Sequence, residues 1–496
     1  MSLIQMNHLS FRYDGSYEYI FRDLTFSFDT QFKTALIGRN AKGKTTLLRL
    51  LLGEYDYEGE IVKNAECEYF PYIVENATLD TLDICFCIDS EIQQWQLERE
   101  LNLLQVNLDV LYRPFETLSQ GEQTKVLLAI LFLKENSYLL IDEPTNHLDQ
   151  FSRQIVADYL KHQKGFLLVS HDRAFIDACC NHIIAINPTT IDVVAGNFSS
   201  WYLDKQKRDQ AGIEKNQKLK KDIHRLEESR RKTASWSDKV ENTKNGQRVS
   251  GLRPDKGHIG HMAAKMMKRS KSIEKRRNNA IEDKRGLLDD IEEYDDLKIY
   301  PLKYHQTMLI NLSHVCLFYD DKILFNDLSF SIQNQERVLL KGKNGCGKSS
   351  IISLIMNQGI RYKGDYTIGS QLKISYVPQD CSSIQGKLDE FIEKYHVDQT
   401  LTKTILRKLG FSRTHFEKNI EYYSEGQKKK VMLAISLATS AHLYIWDEPL
   451  NYIDIFSRMQ IEKLILEYQP TLLFVEHDTF FQDCIATKII DFDELI

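Results

Sequence analysis

Short apolar runs separated by polar turns recur along this chain, and their periods predict most of its elements. Leu24-Thr-Phe-Ser-Phe28 and Leu328-Ser-Phe-Ser-Ile332 alternate with period two, the mark of half-buried strands. Thr34 to Ile37 and Arg337 to Leu340 are buried runs, each leading into a glycine loop and then an apolar helix. Tyr138-Leu-Leu-Ile141, Phe166-Leu-Leu-Val169 and Leu472-Leu-Phe-Val475 are apolar throughout, as strands covered on both faces are. Strands alternating with helices predict an α/β fold. The longest wholly apolar run, Val126 to Leu133, has eight residues. A membrane-spanning helix needs about 20. The N-terminus opens on strand-like alternation rather than a signal peptide. The expectation is a cytoplasmic chain without membrane insertion.

The pattern repeats. Gly38-Arg-Asn-Ala-Lys-Gly-Lys-Thr45 returns 304 residues later as Gly342-Lys-Asn-Gly-Cys-Gly-Lys-Ser349. Leu118-Ser-Gln-Gly-Glu122 returns as Tyr423-Ser-Glu-Gly-Gln427, and Ile141-Asp-Glu-Pro-Thr-Asn-His-Leu-Asp149 as Trp446-Asp-Glu-Pro-Leu-Asn-Tyr-Ile-Asp454. Ser170-His-Asp172 matches Glu476-His-Asp478, with the offset drifting by only two residues. This is a duplicated domain. A chain of 496 residues is too long for one ordinary core. We expect domains at 1–203 and 305–496, joined by a linker over 204–304.

That linker is far longer than an ordinary connection. Leu219, Ile223 and Leu226 on one side, and Ile273, Ala280, Leu287 and Tyr294 on the other, fall at helical spacings. They predict two long helices folded into a hairpin. The glycine-rich, basic stretch from Asn242 to Gly257 would be its tip. Net charge is −6, but residues 205–285 hold 25 Lys and Arg against 11 Asp and Glu. A balanced coiled coil would carry both signs equally; this imbalance suits a phosphate backbone. Lys244, Arg248, Arg253 and Lys256 are the candidate RNA-contacting residues of the tip, with Trp236 and His258 nearby for stacking. Nine cysteines show no paired CxxC spacing, so no zinc or redox site is expected.

The repeated motifs carry chemistry. GxxxxGK[ST] between a buried strand and a helix is a phosphate-binding loop, in which backbone N–H groups and the helix N-terminus converge on the anion. Lys44 and Lys348 would reach the outer phosphates, and Thr45 and Ser349 would hold Mg²⁺. Asp142 and Asp447, each ending a buried strand, suit a Mg²⁺ contact. Glu143 and Glu448 follow as general bases, while His171 and His477 would contact the terminal phosphate and the attacking water.

Together these residues resemble the ABC ATPases, with Ser119-Gln-Gly121 and Ser424-Glu-Gly426 at the signature position. The resemblance implies two ABC-type P-loop nucleotide-binding domains, joined by the helical hairpin and pairing head to tail within one monomeric chain, with ATP and Mg²⁺ as cofactors. One site would combine Gly38, Asn40, Gly43, Lys44, Thr45 and Thr46 with Ser424, Gly426 and Gln427. The other would combine Gly342, Asn344, Gly345, Gly347, Lys348, Ser349 and Ser350 with Ser119, Gly121 and Glu122. Tyr13 and Tyr319 match the aromatic residues that stack on adenine, and a core role is equally open to them. Gln379 stands where the family's Q-loop glutamine contacts Mg²⁺, but Tyr72 occupies that place in the first domain and implies a slower site there. Ala41 replaces a common glycine, and Tyr423 a leucine.

Within the family, the chain is similar to the ABC-F group, and in particular to the Lsa and Vga antibiotic-resistance proteins. The long basic linker carries that resemblance, together with the near-equal spans Tyr72–Ser119 and Gln379–Ser424, which leave no room for an inserted arm. It implies that the ATP-closed form enters the E site of the 70S ribosome. The linker would then reach 23S rRNA and the P-site tRNA and displace lincosamides, group A streptogramins and pleuromutilins. An ABC-F translation factor without a resistance role, or the ATPase subunit of a transporter, are the alternatives.

Overall fold

The computed structural model describes residues 3–15, 19–134, 136–146, 148–187, 190–242, 268, 272, 275–276, 297–319 and 322–492. Two compact units result, one built from 1–201 with 294–496 and the other from 202–293.

The first unit holds both copies of the repeat. In the N-terminal copy, β1 (Leu3–Phe11) lies between β2 (Phe21–Asp29) and β4 (Glu58–Val62) in a small antiparallel sheet. The main sheet uses β3 (Lys33–Gly38), β5 (Glu66–Phe70), β6 (Ser137–Asp142), β7 (Phe166–Val169), β8 (His182–Ile186) and β9 (Ile191–Ala195), in the order β5-β6-β7-β3-β8-β9. All neighbours are parallel except β9, which runs against β8. The C-terminal copy repeats the plan. Its antiparallel sheet is β11-β10-β13, from β10 (Met308–Tyr319), β11 (Lys322–Gln333) and β13 (Arg361–Ile368). Its parallel sheet is β14-β15-β16-β12-β17, from β12 (Arg337–Lys341), β14 (Ile374–Val377), β15 (Leu443–Asp447), β16 (Leu472–Val475) and β17 (Lys488–Asp491).

The continuous apolar strands follow from burial on both faces. Along β12 and β15, Val338, Leu340, Leu443 and Ile445 pack into one core cluster. Their alternating neighbours Leu339, Tyr444 and Trp446 pack into the opposite one. Period-two geometry sends successive side chains to opposite faces, so each face must be apolar. This arrangement also gathers the functional segments. β6, β7 and β3 are parallel neighbours, so Asp142, the His171 segment and the glycine loop all emerge at the same carboxyl edge. Crevices at that edge are where open α/β sheets bind ligands.

A 45-residue helix, Phe198–Asn242, begins in the first unit and supplies most of the described part of the second. The first of the two helices expected for the linker falls within it. Lys244, Arg248, Arg253, Lys256 and His258 lie outside the described residues, as does the side chain of Trp236. Among the described residues, no helix is long and apolar enough to cross a membrane.

Candidate active site

Each phosphate-binding loop opens its helix through a left-handed glycine. Gly43 has φ 92° and Gly347 φ 100°. A Cβ on Gly43 would lie 2.6 Å from Ile20 Cγ2, and one on Gly347 2.7 Å from Phe325 Cε2, so both the turn and the space require glycine. Ala41 adopts φ 63°, in the same region as its counterpart Gly345 at 78°, so the missing glycine has not changed the loop's path.

The lysines fold back onto their own loops. Lys44 Nζ donates to Gly38 O at 2.8 Å and to Asn40 Oδ1 at 3.2 Å. Lys348 Nζ donates to the carbonyls of Gly342 and Lys343, both at 2.8 Å. Thr45 Oγ1 donates to Asp142 Oδ2 at 2.9 Å, and Ser349 Oγ to Asp447 Oδ2 at 3.1 Å. Thr46 meets the Tyr13 hydroxyl at 2.7 Å, and the Tyr13 ring stands edge-on to Phe11 and Tyr55. The side chain of Tyr319 lies outside the described residues.

Both glutamates sit in the left-handed region, Glu143 at φ 51° and Glu448 at φ 48°, where side-chain-bearing residues are rare. The next strand holds them there: Glu143 N donates to Val169 O at 2.8 Å, and Glu448 N to Val475 O at 3.0 Å. Their surroundings then diverge. Gln379 Nε2 donates to Glu448 Oε1 at 3.0 Å and Asn451 Nδ2 to Glu448 Oε2 at 2.7 Å. Burial pushes the Glu448 carboxyl up, but His477 at 3.6 Å, Lys429 and Asn451 outweigh it and hold the group at about 2. Glu143 has His171 Nε2 3.1 Å from Oε1, yet off the line of a hydrogen bond, so both its buried oxygens lack a hydrogen-bond partner among the described residues. Burial, reinforced by the neighbouring Asp142, pushes its carboxyl up to about 8 against the pull of Lys44. Burial likewise pushes the His171 imidazole well below its ordinary value.

Tyr72 donates to Glu68 Oε2 at 3.4 Å rather than to Glu143. Three partners were not visible in the motifs. Tyr69 donates to Asp142 Oδ2 at 3.1 Å, a tyrosine one strand away. Lys429 Nζ, standing where the first copy has Thr124, donates to the carbonyls of Pro378 at 2.7 Å and of Gln379 and Asp447 at 3.0 Å. Asn451 reaches Glu448 from three residues downstream, and only its repeat with Asn146 hints at a role.

The two halves complete each other's clefts. One cleft of about 550 Å³ is walled by Asn40, Lys44, Thr45, Glu143 and His171 from the first half, and by Ser424, Gly426 and Gln427 from the second. The other, about 720 Å³, sets Ser119, Gly121 and Glu122 against Asn344, Gly345, Lys348, Ser349, Gln379 and Glu448. Asn40 Nδ2 donates to Tyr452 O at 2.9 Å across this interface. Ser119 and Ser424 each cap a helix, with Glu122 and Gln427 bonding back to the cap N–H at 2.9 and 3.0 Å. The boxes satisfy the N–H groups of Ser119, Glu122, Ser424 and Gln427, and the first-turn glycines Gly121 and Gly426 line the clefts, so each helix N-terminus borders the opposite loop, a setting suited to an anion.

The groups fit a magnesium nucleotide. Hydroxyl and carboxylate oxygens are the donors Mg²⁺ prefers. Among the described residues, Asp447 Oδ1 is buried without a hydrogen-bond partner, while its other oxygen accepts from Ser349.

Two composite P-loop clefts between repeated halves define a tandem ATPase. Residues 21–146 and 325–451, together more than half the chain, match the family model described as ABC transporter. The chain belongs to that family, as an ATP hydrolase of its ABC-F branch. It is similar to the ribosome protection protein VmlR of Bacillus subtilis (strain 168), 28% identical over 488 residues, 95% of this chain and 83% of the relative. It is also similar to the erythromycin resistance ATP-binding protein MsrA of Staphylococcus epidermidis, 28% identical over 92% of this chain and 91% of the relative. In fold it matches the archaeal ribosome recycling factor aABCE1, solved in complex with the ribosomal stalk protein aP1, at a TM-score of 0.60 and 18% identity, over 94% of this chain and 84% of that one.

Proposed function

We propose that the protein is a cytoplasmic ABC-F ATPase that binds the 70S ribosome at its E site when two ATP molecules hold the halves closed. Its linker then displaces lincosamides, group A streptogramins and pleuromutilins from the peptidyl-transferase centre. The observation that carries this reading is the likeness to a ribosome protection protein across 95% of the chain, basic interdomain segment included. The similarity to MsrA, an erythromycin resistance ATP-binding protein, points the same way.

In this reading Lys44 and Lys348 swing from their loop carbonyls to the phosphates. Thr45 with Asp142, and Ser349 with Asp447, hold Mg²⁺, which supplies charge neutralisation at the phosphates. Gln379, bonded to Glu448, keeps the second base oriented while lying within reach of the metal position. Glu448 is ionised and orients water; Glu143, protonated near neutral pH, does so poorly, which makes the first cleft the slower one. His171 and His477 face the terminal phosphate, and Tyr13 and Tyr319 the adenine. Signature residues Ser119, Gly121, Ser424 and Gly426 close over the nucleotide from the opposite half. Lys244, Arg248, Arg253 and Lys256 contact 23S rRNA and the P-site tRNA acceptor end.

The test uses the Glu143→Gln, Glu448→Gln double variant, which binds ATP without turning it over. It should co-sediment with 70S ribosomes in an ATP-dependent manner; absence from the ribosomal pellet rules the ribosome reading out. Expression of the wild type should raise tolerance to lincomycin and tiamulin. Unchanged tolerance with intact co-sedimentation would remove the resistance role and leave a translation factor.

A further inference from the structure

The two sides of the interface between the halves differ in a way their repeated sequences make easy to compare. Beside the first cleft, Arg173 Nη1 donates to Glu462 Oε2 at 3.1 Å while Nη2 donates to Glu462 Oε1, a bidentate pair with both residues buried. The guanidinium also stacks 5.1 Å above the Phe480 ring. Nearby, Trp201 covers Phe456 at a centroid separation of 6.3 Å.

The repeat assigns a counterpart to each residue. Thr479 stands for Arg173, Ala157 for Glu462, and Ala174 for Phe480. These three small residues line a cavity of about 360 Å³ on the opposite side. Phe151, the counterpart of Phe456, also lines it and is 58% exposed. One side of the interface is thus joined by a buried ion pair, and the other is hollow where that pair would stand, with Lys343 Nζ 5.8 Å over the Phe151 ring at its edge.

Each side belongs to a particular cleft. Arg173 follows two residues after His171, which walls the first cleft, and Glu462 lies on the helix capped by Asp454, next to the Tyr452 carbonyl that holds Asn40. The hollow is lined by His477 and Gly342, which belong to the second. We infer that Arg173 and Glu462 form a one-sided latch: they hold the first cleft shut while the second opens and exchanges nucleotide. Close, desolvated charge pairs act mainly on the rate at which surfaces separate, whereas contacts across a void contribute little attraction. The pair is a positioning device, remote from the reacting atoms. The inference rests on reading the two clefts as nucleotide sites.

The experiment follows dissociation of a fluorescent ATP analogue from the full-length Glu143→Gln, Glu448→Gln protein, chased with unlabelled ATP. Two phases are expected. Lys44→Ala should delete the slow phase and Lys348→Ala the fast one; if these substitutions do not separate the phases, the cleft reading is at fault rather than the latch. Arg173→Thr with Glu462→Ala gives the latched side the residues the hollow side already carries. It should speed the slow phase about tenfold or more and leave the fast phase unchanged. The reciprocal Ala157→Glu with Thr479→Arg should slow the fast phase. A folded Arg173→Thr, Glu462→Ala protein whose slow phase is unchanged overturns the latch. Should that variant not fold, an unchanged fast phase in the reciprocal variant overturns it instead.

Discussion

Glu143 and Glu448 occupy equivalent turns, yet among the described residues no side chain hydrogen-bonds to the first, while two hydrogen-bond to the second. The consequence for stability has a definite sign. Between the ordinary value of 4.5 and about 8, the folded chain keeps a proton on Glu143 that the unfolded chain has released. Stability therefore falls as pH rises through that window. Glu143→Gln removes the effect, so ligand-free protein carrying it should melt a few degrees higher than wild type at pH 8, and closer to it near pH 5. Each kcal/mol corresponds to roughly 2–4 °C in a domain of 150–250 residues. Thermal denaturation at the two pH values checks this; an equal gain at both would refute the burial account. The motifs named both glutamates, because their spacing from the loops repeats. The exchange of Gln379 for Tyr72 announced a difference between them, but the motifs did not show Lys429 against Thr124, on an element far from the glycine loop in sequence, whose ammonium helps hold the Glu448 carboxyl low.

Arg458 ties three segments of the second half together. It donates to Leu450 O and Ile453 O at 3.0 and 2.9 Å, and to Asp478 Oδ2 at 3.0 Å, while Asp478 caps the next helix through Phe481 N. Asp478 is fully buried, so removing its hydrogen-bonded partner leaves the charge to Arg173 Nη2, 4.0 Å away and already paired with Glu462. Arg458→Ala should cost about 3–5 kcal/mol, read as a lower denaturation midpoint in urea; a cost under about 1 kcal/mol would show that the pair is not what holds the segment. Strands were the most legible elements: Phe166–Val169 and Leu472–Val475 coincide with β7 and β16, because burial on both faces leaves no polar position to blur the ends. The long helix was less so. It begins at Phe198, ahead of residue 204, because Phe198 and Trp201 are core anchors rather than part of the linker's spacing. Asn197, whose Oδ1 accepts from Ser200 N at 3.0 Å, was the overlooked start signal.

At the scale of the whole molecule, charge is segregated: +14 over residues 205–285 and −20 over the rest. Binding driven by phosphate contacts weakens linearly on a logarithmic salt axis, by roughly 0.7–0.9 per phosphate neutralised. Replacing Lys244, Arg248, Arg253 and Lys256 together by Ala should flatten that slope for ribosome co-sedimentation by about 3. An unchanged slope would place those residues away from RNA. Duplication was legible from the repeated motifs, and the pairing of the halves from the family they resemble. The inequality of the two sides was not, since it lies in residues outside every motif. That inequality also bears on how the copies tell each other apart. Two first halves meeting as a like pair would set Arg173 against Ala157, a guanidinium with no carboxylate to receive it. Two second halves would bury Glu462 opposite Thr479, a carboxylate with no cation. After the duplication, one arginine and one glutamate are enough to make unlike partners the preferred match, and so to disfavour contacts between like halves of neighbouring chains in a crowded cell.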